Sequence, residues 1–169
     1  MTWSERLADL ESDLLQQAEG ADLADRDRLI DELAQERSAE VSWVDRCLGT
    51  TVQVRVNGAG VVRGELALAT AQWILVHHDA LTDWVVSLDQ VASVRSDERS
   101  PALARGEVQR RLSWRYAWAA LHRDADEVHV ILIDGSTLYG APTRVGKDYV
   151  EIAGEIVPFA SVVALRCPR

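Results

Sequence analysis

The sequence predicts an α+β protein: a helical N-terminal segment followed by two copies of a five-stranded small barrel, each copy preceded by a helix. Three observations predict it. Apolar residues recur at spacings of three and four through the first 48 residues, the period changes to two at Thr51, and the stretch from Glu127 to Cys167 repeats the pattern of Thr51 to Ser96. The chain thus divides into an acidic helical segment at 1–48, a first repeat at 49–97, an arginine-rich linker helix at 98–126 and a second repeat at 127–169.

In the N-terminal segment Trp3, Leu7, Leu10 and Leu14 stand on one helical face between charged residues, with Thr2 or Ser4 placed to cap its start. Gly20 interrupts the pattern. A second run carries Leu23, Leu29, Ile30, Leu33, Val41, Val44 and Leu48 and stops at Gly49. The result is a helical hairpin or one bent helix. Its apolar stripe packs onto the barrels or onto a second chain. Gln17, Ala21 and Ala24 interrupt it as a coiled-coil seam.

From Thr51, Val52, Val54 and Val56 alternate with Gln53, Arg55 and Asn57, and Gly58-Ala59-Gly60 makes the turn of a hairpin. Val61, Val62, Leu66 and Leu68 follow around Gly64, then Trp73-Ile74-Leu75-Val76 and a closing pair of strands within Trp84 to Val94. A shift of 76 positions, which sets Gly140 on Gly64, lays Val128 on Val52, Val130 on Val54, Leu138 on Val62 and Tyr149 on Trp73. Five residues are then deleted in the second copy. The shift becomes 71, with Val157 on Val86, Phe159 on Leu88, Val162 on Val91 and Leu165 on Val94. A glycine inside a strand marks a sharp bend, so Gly64 and Gly140 read as structural glycines that curl each sheet.

Between the copies, Ala102 to Arg123 reads as a helix after the start signal Ser100-Pro101, with Leu112, Tyr116, Ala119 and Ala120 on one side. Arg105, Arg110, Arg111 and Arg115 with Trp114 and Trp118 form a candidate patch for single-stranded nucleic acid, in which rings stack on bases and arginines follow phosphates. The competing reading packs Trp114, Trp118 and Leu121 on a barrel and pairs the arginines with the acidic segment.

Charge bears on that choice. The chain carries −9 over 169 residues, and Met1 to Leu48, with 13 acidic and 5 basic residues, accounts for −8 of it. Glu98 to Asp126 holds six arginines against four acids, the one place where clustered positive charge could meet a polyanion. The chain has a single lysine, Lys147, which fits the residue usage of a GC-rich genome and weakens the arginines as a nucleic-acid signal.

Other chemistries find no support. The stretch from Gly140 to Lys147 has five residues between its glycines where a phosphate loop needs four, and Asp148 replaces the metal-holding hydroxyl. Gly58-Ala59-Gly60 with Gly64 lacks the spacing and the following helix of a dinucleotide fingerprint. His77-His78-Asp79 has ligand chemistry, but adjacent histidines on a strand point to opposite faces. Cys47 and Cys167 are two isolated thiols without metal or disulfide spacing. No serine sits in a nucleophile elbow. No catalytic, cofactor-binding or metal-ligating residue is assigned, and the chain reads as non-enzymatic. It has no apolar run of the roughly 18 residues a membrane span needs and no secretion signal at Met1 to Arg6, so a cytoplasmic location is expected, without a membrane partner or an evident small-molecule substrate.

A bent five-stranded unit with a glycine in its second strand, closed by Val86-Ser87-Leu88-Asp89-Gln90-Val91-Ala92-Ser93-Val94, resembles the Sm-like (SH3-like) small barrel. The whole chain is similar to an actinobacterial family with two tandem copies of it and a repeated Asp-Gly-Ser-x-Leu-x-Gly hairpin, here Asp134 to Gly140. The resemblance implies edge-to-edge assembly and RNA. The matching positions depart from the RNA pocket: Thr70 and Ile74, and Gly146 and Val150, stand where an aspartate and an asparagine are expected, and Ser87-Leu88 and Pro158-Phe159 where arginine and glycine are. The expected function is therefore a binding or assembly protein with a protein partner or self-association. The alternative is RNA binding through the arginine-rich helix.

Overall fold

A computed structural model describes residues 28–30, 41–96 and 111–168. The chain divides into two compact units, Met1–Ser42 and Trp43–Arg169. In the first, residues 28–30 are helical, and the remainder of the predicted N-terminal helices before Val41 lies outside the described residues. The second unit contains both repeats.

Helix α1, Trp43–Cys47, turns Val44 and Cys47 into the core. Val41 and Ser42 are not helical, so the run predicted to reach Leu48 is broken before Trp43. Gly49 ends the helix at φ +76°, and the Thr50 hydroxyl donates to the Cys47 carbonyl at 2.8 Å, satisfying an acceptor that the helix end leaves open.

The first repeat consists of β1 (Thr51–Val56), β2 (Gly60–Ala69), β3 (Trp73–His77), β4 (Thr82–Ser87), the 3-10 turn Leu88–Gln90 and β5 (Val91–Ser96). Helix α2 (Trp114–Asp124) precedes the second: β6 (Val128–Leu132), β7 (Thr137–Gly140), β8 (Pro142–Val145), β9 (Tyr149–Ile152), β10 (Glu155–Pro158), the 3-10 turn Phe159–Ser161 and β11 (Val162–Pro168). In β1 the alternation holds, with Val52, Val54 and Val56 buried.

Strand pairing repeats with the register read from the sequence. Val54 lies opposite Val62 as Val130 lies opposite Leu138. Even the irregularities recur. The β1–β5 ladder shifts at Arg55/Val56, and the β6–β11 ladder at the equivalent Ile131/Leu132. The β2–β3 ladder shifts between Leu66 and Leu68, and the β8–β9 ladder between the equivalent Pro142 and Arg144. Strands β7 and β8 are together the counterpart of β2, bent at Gly140 as β2 is at Gly64.

The architecture itself differs from the expected pair of barrels plus helices. The unit is mostly β, and neither repeat closes. Eight strands form one sheet in the order β5-β1-β2-β3-β4-β11-β6-β7, and β10-β9-β8 form a second. The reason lies in β11. It lies between β6 of its own repeat and β4 of the other, with Leu165 opposite Val130 on one side and Val85 on the other. The outer edge of β4 is thereby occupied by the second repeat instead of curling back toward β5. The two repeats share a sheet, and β11 is buried on both faces from Val162 to Leu165.

Two cores lie on the faces of this shared sheet. One gathers Val52, Val54, Val56, Val62, Leu66, Ile74, Val76 and Val86 with Val44 and Cys47 of α1, and takes in Val163 and Ala164 from β11. The other gathers Val128, Val130, Val150, Ile152, Val162 and Leu165 with Trp114 and Trp118 of α2, and takes in Trp73 and Val85 from the first repeat. Each core therefore contains side chains of both repeats.

Candidate functional site

The helix predicted over Ala102 to Arg123 is not continuous, since residues 111–113 are not helical, and its tryptophans pack inward as the competing reading has it. Residues 97–110 lie outside the described residues, Arg105 and Arg110 among them, and the helix begins at Trp114 with Ser113 in the capping position. Arg111 stands in a turn before it, exposed, and Arg115 is exposed on the first turn. Trp114, proposed as a stacking ring, is only 6% exposed. Its ring centroid lies 6.4 Å from that of Trp73, and its backbone N–H donates to the Gln72 side chain at 2.9 Å. Trp118 is fully buried. Both indoles are spent on completing the second core, so neither of these two tryptophans presents a face to a base. Tyr116, which the helical pattern put on the apolar side, is instead exposed beside Arg115.

Gly64 lies within β2 and Gly140 ends β7. Gly64 adopts φ +153° and Gly140 φ +152°, a conformation that L side chains rarely take.

At the joint between the repeats lies a cleft of about 210 Å³ lined by residues that include Leu81, Glu127, His129, Tyr139, Arg166 and Cys167. Cross-strand register sets Tyr139, His129, Arg166 and Trp84 in one row on one face. The Tyr139 hydroxyl donates to Glu127 at 2.5 Å, and its ring lies 4.5 Å from that of His129. The hydrogen bond to Glu127 raises the phenol above its usual range. Burial pushes the Cys167 thiol up to about 12, with Asp83 and Asp126 adding to the shift. A thiol so disposed stays protonated and is a poor nucleophile. The two histidines of the His77-His78-Asp79 run part company, His77 as the last residue of β3 and His78 just beyond it. His77 Nδ1 lies 2.7 Å from Asp83, and His78 Nδ1 donates to the Arg63 carbonyl at 2.7 Å. Among the described residues no three His, Cys, Asp or Glu side chains gather as a metal site, and no helix is long and apolar enough to cross a membrane.

Among the described residues the two sheets end in four edge strands, β5 and β7 in one and β10 and β8 in the other. Among the described residues β5 is paired only with β1, and β10 only with β9. Beside β10 runs a groove of about 180 Å³ whose walls include Leu132, Ile133, Ile156 and Val157. Ile133 is 59% and Ile156 68% exposed, two aliphatic side chains bare beside an unpaired backbone edge. Residue pattern alone could not find this feature, since Ile156 occupies the repeat position of Val85, a buried residue. Neither a protein-family model nor a curated protein matches the chain.

Proposed function

We propose that this chain is a non-enzymatic binding and assembly protein whose open sheet edges take up an extended strand from a protein partner. The observation that carries this reading is the β10 edge, which no strand among the described residues covers, beside the groove of Ile133 and Ile156. Main-chain hydrogen bonds along such an edge supply affinity and the neighbouring apolar side chains supply selectivity. Light scattering of the full chain after size exclusion, with a pull-down from its native cell, tests the proposal. An assembly above the 18.7 kDa chain mass, or a captured protein abolished by Ile156→Lys, is the expected result. A chain that stays at monomer mass and captures no protein refutes it.

A second reading, RNA binding through the arginine segment, is favoured by one observation: Arg115 and Tyr116 stand exposed together at the start of α2. Binding of a single-stranded oligonucleotide should then weaken steeply with salt and fall when Arg110 and Arg111, or Arg115, become alanine. Absent or salt-insensitive binding removes it.

A further inference from the structure

The cleft at the joint between the repeats has no part in strand uptake at β10. We propose that it is a binding site for a small organic acid, a single carboxylate carried on a flat apolar body. Arg166 takes the carboxylate, and the rings of His129 and Tyr139 take the body.

The shared sheet builds the cleft by running past the end of its first core. On one face Val86, Ala164 and Ile131 lie side by side across β4, β11 and β6 and pack in that core. Two residues along the same strands, the same face carries Trp84, Arg166 and His129, and β7 adds Tyr139 opposite His129. Trp84 still packs against the core, whereas Arg166, His129 and Tyr139 are exposed. Directly opposed side chains in such a row stand about 4.5–5.5 Å apart at Cβ, close enough for one small ligand to touch several of them. The row exists only because β11 of one repeat pairs with β4 of the other.

Three observations set the chemistry of the ligand. The first is free donors. The Arg166 guanidinium has no ion-pair partner among the described residues, and the ring nitrogens of the adjacent His129 have no hydrogen-bond partner there. A guanidinium fork matches a carboxylate through two parallel charge-assisted bonds. The second is apolar surface. The His129 and Tyr139 rings lie 4.5 Å apart with a 41° tilt, and Leu81, 74% exposed, stands on another wall of the cleft. Rings and a bare aliphatic side chain of this kind are what a flat apolar body covers. The third is the charge that the cleft keeps. Glu127 lines it and accepts a hydrogen bond from the Tyr139 hydroxyl, so its carboxylate stands near the ligand. One arginine can hold one negative charge against it, but a phosphate dianion meets a doubled repulsion, to which the net −9 of the chain adds. At about 210 Å³ the cleft is smaller than the roughly 300–1,000 Å³ of pockets for drug-sized ligands, so the acid is small.

The test is calorimetric titration of benzoate into the full chain. Saturable binding is expected, weaker by about tenfold or more in Arg166→Gln, which removes the charge-assisted bonds. Glu127→Gln should instead tighten binding several-fold, a gain that damage to the fold cannot produce. Both residues are exposed, and circular dichroism confirms that the variants are folded. Acetate, which has the carboxylate without the body, should bind far more weakly than benzoate, and benzylamine, which has the body with the opposite charge, should not bind. No binding of benzoate at millimolar concentration overturns the proposal, as does binding that neither variant alters. Benzylamine or inorganic phosphate binding as tightly as benzoate also overturns it. A peptide ending in a free phenylalanine offers the same carboxylate, and its binding where benzoate fails would replace the free acid by a chain end. Strand uptake at β10 is read separately through Ile156→Lys, so the outcome here leaves that reading where it stands.

Discussion

Replacing each bend glycine by alanine separates two costs that usually arrive together. Gly64 and Gly140 share a backbone conformation, φ +153° and +152°, at equivalent positions of the repeat. A side chain at either position incurs the strain of that conformation, about 1–3 kcal/mol. Their surroundings differ. A Cβ on Gly140 would meet nothing closer than Ile152 Cγ1 at 3.9 Å, an ordinary contact. A Cβ on Gly64 would lie 2.0 Å from the His77 carbonyl oxygen, 2.6 Å from its carbon and 2.9 Å from His78 Cα. These are backbone atoms of the adjoining strand and cannot rotate away. Relieving the overlap means parting β2 from β3 where Glu65 faces His77, which adds an overpacking cost of about 1–3 kcal/mol. Gly140→Ala should therefore cost about 1–3 kcal/mol and Gly64→Ala about 2–6 kcal/mol, the larger of the two in the same protein because it adds the clash to the shared strain. Urea unfolding followed by circular dichroism measures both, with the midpoint giving the loss and a constant slope showing that the same surface is exposed. Equal losses for the two variants would refute the reasoning, because the strain is common to them and only the clash differs.

Trp118→Ala, at a fully buried position in the second core, should cost about 3–5 kcal/mol in the same assay. The Trp118 indole N–H has no acceptor among the described residues, so Trp118→Phe should lose much less than the size of the deletion suggests; a loss as large as that of alanine would show an unrecognised bond. Cys167 predicts an alkaline dependence. Its thiol is held at about 12 in the folded chain against 9.0 in the unfolded one, so the folded state keeps a proton that the unfolded state releases. The contribution is intact below pH 9 and is lost as pH rises from there toward 12, with a limit of about 4 kcal/mol across the whole window. Comparing wild type with Cys167→Ala at about pH 8 and about pH 10.5 isolates it: the stability difference between the two proteins should narrow at the higher pH, and parallel curves would contradict the assignment. The same burial predicts that Cys167 resists thiol reagents at about pH 8 until the chain is unfolded, which mass spectrometry of the alkylated protein checks.

Much of the fold was legible because it is local. The period-two pattern of Val52, Val54 and Val56, the turn at Gly58 to Gly60 and the bends at Gly64 and Gly140 depend on residues near in sequence, and the second copy repeats each of them. The helix before the second repeat was legible in existence, and its orientation as one of two readings, of which the one that packs Trp114 and Trp118 is observed. Three aromatic residues stand at positions 114, 116 and 118, and helical spacing cannot say which of them the core will take. The core took both tryptophans and left Tyr116 outside, so the nucleic-acid patch lost its stacking rings. The candidate edge at β10 was not legible as a site at all. Ile156 looks like any core aliphatic, and its exposure depends on which strand is absent beside it.

One signal of the shared sheet was present in the chain. Val162-Val163-Ala164-Leu165 and Trp73-Ile74-Leu75-Val76 are continuous apolar runs, and a strand exposed on one face would alternate. Such a run requires apolar material on both faces without naming its source. By itself the sequence determined that there are two copies, where their strands and bends fall and how the strands pair within each copy, since hairpin register follows from short-range pattern and turn geometry. Only the tertiary structure decided that β11 pairs across to β4, that neither copy closes into a barrel, and that β5 and β10 are left among the edge strands. The physical reason is that any strand edge offers the same N–H and C=O groups. Which edge meets which is settled by the burial gained when both faces of the joined sheet are covered, a quantity that belongs to the whole fold.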